Sequence, residues 1–104
     1  MTNEKKIAAI AAPFTAKGQT VTSHQIANAI DLIANLPSSF SSGGVIPALL
    51  PEEDDLHIRY EASNRLFQRW RKLGLATYAR RKWTLTPGSW SLMQLAASHA
   101  RMDD

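Results

Sequence analysis

The sequence predicts a mainly α-helical chain with one small β-hairpin, on three observations. Leu66, Phe67, Trp70 and Leu73 recur at helical spacing. Gly74 follows where a helix is expected to end, because glycine takes the left-handed conformation at no steric cost. Beyond it, Leu75, Thr77 and Ala79 alternate with Ala76 and Tyr78, and Lys82 to Thr86 alternates around Trp83 and Leu85. That pattern is two strands about a turn at Arg80-Arg81. Helices are expected at about 3–12, 23–35, 57–73 and 89–101, with the ribbon at 75–86.

Each element has its own local grounds. Asn3 is placed to cap the first helix, in which Ile7 and Ile10 face inward beside Ala8 and Ala11, and Pro13 bends or ends it. Lys17-Gly18-Gln19 reads as a loop, and Val21 as one residue of strand joining the ribbon. Thr22 or Ser23 caps the second helix, where Ile26, Ala27, Ile30 and Ile33 form one stripe. Leu36 to Asp55 then forms a long separation before the basic helix. Within it Pro37-Ser38-Ser39 and Ser41 to Gly44 read as irregular chain, and Val45-Ile46 with Leu49-Leu50 as an apolar clip onto the core. The basic helix starts near His57, although Pro51 would suit a first helical position. Asn64, Gln68, Arg71 and Lys72 lie opposite its apolar face. Pro87-Gly88 ends the ribbon. Ser89 caps the last helix, whose stripe of Trp90, Met93, Ala97 and Ala100 is widened by Leu92, Leu95 and Ala96. So apolar a helix either packs over the first helix or pairs with its own copy in a dimer. Tyr60, Trp70, Trp83 and Trp90 are each expected in the core.

Length and composition exclude several function classes. A chain of 104 residues is one domain. It has no cysteine, hence no disulfide framework and no thiolate metal site, which fits a cytoplasmic protein. Lys5-Lys6 ahead of Ile7 to Phe14 imitates a signal peptide, but the apolar part is short, holds Pro13 and follows Glu4. No run approaches a membrane span. His24, His57 and His99 are scattered without partners at ligand spacing. Thr22-Ser23-His24 is a helix start, and Gly43-Gly44 lacks the preceding strand and following lysine of a phosphate loop. Neither enzyme chemistry nor a cofactor or metal is expected.

The charge distribution is the informative feature. Between Leu56 and Thr84, eight basic residues face Glu61 alone, a local +7 in a chain whose total is +3. The sequence pI of 9.6 favours an anionic partner. A basic helix followed by a basic hairpin suits a duplex, the helix in the major groove and the hairpin tip on adjacent phosphate or minor groove. Asn64-Arg65-Leu66-Phe67 through Trp70 to Leu73-Gly74-Leu75, then Trp83 to Gly88, resembles the winged helix-turn-helix regulators, nearest to the multiple-antibiotic-resistance type. The string from Val21 to Leu32 looks like the first helix of such a motif, in which small Ala27 admits the next helix; Ala27 is equally at home in any amphipathic helix. The segment 36–55 departs from the 3–4-residue turn of the compact motif and stands as an insertion in a single winged-helix domain.

The resemblance implies a sequence-specific binder of double-stranded DNA, a small transcriptional regulator acting as a homodimer. In it Asn64 and Gln68 read adenine edges, Arg65 or Arg71 guanine, and Arg80, Arg81 and Lys82 grip backbone near the wing. Tyr60, Arg69 and Lys72 complete the candidate contact set. The last helix, with the first, is the expected dimer interface. The competing class is a winged-helix interaction module without specific DNA binding, which takes a protein partner through the basic face or the 45–55 segment. Glu52 to Asp55 reads either as a crude DNA mimic or as a solvated run at a helix N-terminus.

Overall fold

A computed structural model gives an α+β fold of four helices and two small antiparallel sheets; it describes residues 2–41 and 48–102. The order is α1 (Asn3–Ile10), β1 (Phe14–Ala16), β2 (Gln19–Val21), α2 (Ser23–Ile33), β3 (Ser39–Phe40), α3 (Leu56–Lys72), β4 (Ala76–Ala79), β5 (Lys82–Leu85) and α4 (Ser89–Met102). The four helices and the ribbon fall where periodicity put them. Among the described residues no helix is long and apolar enough to cross a membrane.

The strands differ from expectation in two places. Val21 does not join the ribbon: β2 pairs with β1, Phe14 opposite Val21 and Ala16 opposite Gln19, in a hairpin of its own. Its two-residue turn, Lys17 and Gly18 at φ 49° and 85°, has the left-handed conformation at both positions that matches strand twist. The third strand of the ribbon sheet comes instead from Ser39–Phe40, within chain that reads as irregular; the order is β3-β5-β4. Phe40 pairs with Trp83 and is buried, so one apolar side chain in a serine-rich stretch anchors a strand. Val45 and Ile46 lie outside the described residues. Leu49 and Leu50 are buried in the core, as the apolar clip requires.

Helix ends follow local chemistry, with shifts of a residue. Thr2, not Asn3, caps α1 by accepting from Lys5 N–H. Thr22 and Gln25 form a reciprocal capping box on α2, at 3.1 and 3.0 Å. Asp55 caps α3 by accepting from His57 N–H at 2.9 Å, so the acidic run ends in a helix cap. At the far end Gly74, φ 80°, lets Leu75 N–H reach the Trp70 carbonyl and Gly74 N–H the Arg71 carbonyl, the paired bonds of a Schellman stop. Ser89 does not act as an accepting cap; its hydroxyl donates to the Thr86 carbonyl at 2.6 Å.

Two packing systems meet at α3. Ile26, Ile30 and Ile33 of α2 and Met93, Ala96, Ala97 and Ala100 of α4 are buried, with α4 packed on α2 and α1; the small side chains allow close approach. Arg101 on α4 ties to Asp31 and Asn28 on α2. On the ribbon side Phe67 is the hub, with ring centroids 5.7 Å from Phe40, 5.4 Å from Trp70 and 5.3 Å from Trp83. Trp70 and Trp83 are buried and Trp90 is half-buried, but Tyr60 is 49% exposed and does not belong to the core.

Candidate nucleic-acid interface

The candidate surface is the outward arc of α3 together with the turn of the β4–β5 ribbon. Ala62, Ser63, Leu66, Phe67 and Trp70 face inward, which leaves Tyr60, Asn64, Arg71 and Lys72 exposed and Gln68 half-buried along the opposite arc. With α3 running from Leu56 to Lys72, Asn64 sits at its centre and Gln68 in its second half. A shallow cleft of about 410 Å³ runs along this arc, lined by Asn64, Arg65, Gln68, Arg69, Lys72 and Leu73. Arg80, Arg81 and Lys82 are exposed at and beside the ribbon turn.

Not every cation of the set points outward. The Arg69 guanidinium donates to the Ala9 carbonyl at 3.1 Å and the Ala12 carbonyl at 2.5 Å, and lies 5.0 Å over the Phe14 ring. Beside it the Trp70 indole donates to the Ile10 carbonyl at 3.1 Å. A helix leaves its last carbonyls without internal partners, so α3 supplies in space the cap that α1 lacks in sequence. Burial lowers the Arg69 pKa from its ordinary value, yet an arginine stays protonated. Arg65 is shared: it donates to the Thr15 carbonyl at 2.6 Å and pairs with Glu61 at 3.5 Å. The outward cations are therefore Arg71, Lys72, Arg80, Arg81 and Lys82, with Arg65 at the edge.

Charge along α3 is ordered. Glu52, Asp54 and Asp55 are exposed at its start, and Arg69, Arg71 and Lys72 occupy its last turn. This order complements the helix dipole; it also places the positive surface at the C-terminal half of α3 and the ribbon tip. Arg80 and Arg81 adopt φ 53° and 65°. Two-residue turns of this kind favour Asn-Gly, because a Cβ in the left-handed region is strained.

Sequence reading misses Lys17, whose Nζ lies 3.7 Å from Glu61 on this same face. The signal available for it is Gly18 between two three-residue runs, Phe14 to Ala16 and Gln19 to Val21, each holding β-branched or aromatic residues. Comparison of the chain with protein-family models, curated proteins and solved structures gives no match.

Proposed function

We propose that this chain is a sequence-specific double-stranded DNA binder, a small transcriptional regulator of winged-helix type. In this reading α3 enters the major groove and the β4–β5 ribbon grips backbone as the wing. The observation that carries it is the ribbon turn: two arginines occupy left-handed positions where Asn-Gly would be more stable, directly after a basic helix. Strain kept at a surface turn points to what the side chains contact. β3 pairs with the second ribbon strand and stands between α2 and α3, where the compact motif has a 3–4-residue turn. Asn64 and Gln68 present amides able to bond adenine edges in pairs, while Arg80 and Arg81 stand on flexible stems suited to phosphate. Two copies on a palindromic site double the contact set.

The test is binding to random and selected duplexes across a salt series. Five outward cations imply a slope of log K against log salt near −4.5; a slope shallower than about −2 defeats the proposal. Asn64→Ala with Gln68→Ala should weaken the selected site by ~1–3 kcal/mol for each adenine pair lost and spare random duplex. Preference retained in that double variant removes α3 from the recognition role.

A protein-binding module is favoured by one observation: Leu56, 59% exposed, and Tyr60 form an apolar patch at the acidic start of α3. That reading expects no binding to duplex in about 50 mM salt.

A further inference from the structure

The β1–β2 hairpin lies against the edge of α3 that the ribbon leaves open, and its tip is also basic. Across the exposed arc, Arg65 stands roughly 160° around the helix from Phe67. Phe67 meets the ribbon through Trp83, whereas Arg65 and Arg69 meet the hairpin through the Thr15 carbonyl and the Phe14 ring. The arc of Tyr60, Asn64 and Gln68 is thus bounded by a hairpin on either side. Both hairpins turn through two residues of positive φ, Lys17-Gly18 and Arg80-Arg81.

Glu61 explains how the first tip is aimed. Its carboxylate lies between Lys17, at 3.7 Å, and Arg65, at 3.5 Å. One acid between two cations leaves a net +1 on this edge and draws Lys17 toward the α3 face. The Lys17 side chain stays 60% exposed. The Glu61 Oε2 that faces it is buried, but an ammonium has three donors, so Lys17 can meet a phosphate from the solvent side while it stays beside the carboxylate.

We propose that the β1–β2 hairpin is a second backbone-gripping arm, with Lys17 contacting duplex phosphate on the side of α3 opposite the Arg80-Arg81 turn. The inference rests on the duplex-binding reading and adds a contact that reading does not require. The chain has no cysteine, so Lys17→Cys takes a single photo-crosslinker. Ser98→Cys, on exposed α4 surface, is the label control. Lys17→Asn removes the charge while leaving an Asn-Gly turn, which keeps the hairpin geometry; Arg101→Gln is the control for loss of charge alone.

The expected result on a random 20-base-pair duplex is crosslinking from position 17 and none from position 98. Lys17→Asn should flatten the salt slope by about one, with Arg101→Gln unchanged. If the parent binds duplex but position 17 does not crosslink, or if the two charge variants behave alike, the second arm is overturned and the duplex reading stands. If the parent does not bind duplex, the duplex reading itself fails and takes this one with it.

Discussion

Arg80 and Arg81 hold a single turn in a conformation that costs stability. A left-handed residue with a Cβ costs about 1–2 kcal/mol, and both arginines pay it at φ 53° and 65°. Arg80→Asn with Arg81→Gly should therefore raise the melting temperature, by ~4–8 °C for each kcal/mol recovered in a domain of this size. The same pair should weaken duplex binding and flatten its salt slope by about two. A lower melting point would show that the arginines hold the turn rather than strain it. Leu50 carries similar strain at φ 49° just before Pro51, but its side chain is buried with Leu49. Burying a leucine is worth about 1.5–3 kcal/mol, which offsets the conformation.

At the scale of elements, α3 organises the chain. Its inward face meets the ribbon through Phe67, its stop is built by Gly74, and Arg69 and Trp70 cap the C-terminal carbonyls of α1. Arg69→Met keeps an apolar stem against Phe14 but removes both bonds to Ala9 and Ala12. Hydrogen bonds to charged groups are worth about 1.5–3 kcal/mol each, so urea denaturation should show a loss of about 3–6 kcal/mol for the two. Because this guanidinium faces α1, the salt slope of duplex binding should hold to within a few tenths. A slope that drops by a full unit would place Arg69 on the DNA after all. The apolar face of α3 was legible because Leu66, Phe67 and Trp70 repeat at helical spacing. The division of its arginines was not: Arg65, Arg69 and Arg71 are alike in sequence, and what separates them is where the α1 carbonyls and Thr15 come to rest.

The whole molecule is flattened, 36 × 35 × 23 Å. The apolar stripe of α4 that suggests a dimer in sequence is packed on α1 and α2 of the same chain, leaving Leu95 and Met102 as its exposed apolar side chains. Two side chains fall well short of the ~800 Å² per partner of a stable interface. Sedimentation without DNA at tens of micromolar should therefore give a monomer, and a palindromic duplex should seat two copies. A dimer in free solution would mean that an interface other than the α4 stripe holds the copies together.

The sequence by itself determined the elements whose cause is local. Helical period placed α2, α3 and α4, Thr22 marked the start of α2 and Gly74 the end of α3, and alternation about Arg80-Arg81 gave the ribbon. The concentration of cations between Leu56 and Thr84 was likewise plain. Only the tertiary structure decided what depends on partners distant in the chain. β3 exists because Phe40 meets Trp83 and Phe67, residues 43 and 27 positions away. Two- and three-residue strands are too short to show a period, so β1 and β2 are marked only by Gly18 between short β-branched or aromatic runs, and β3 by nothing local. The same holds for charge: the Ala9 and Ala12 carbonyls at and just beyond the end of α1 turned Arg69 inward, and proximity to Glu61 brought Lys17 to the face of α3.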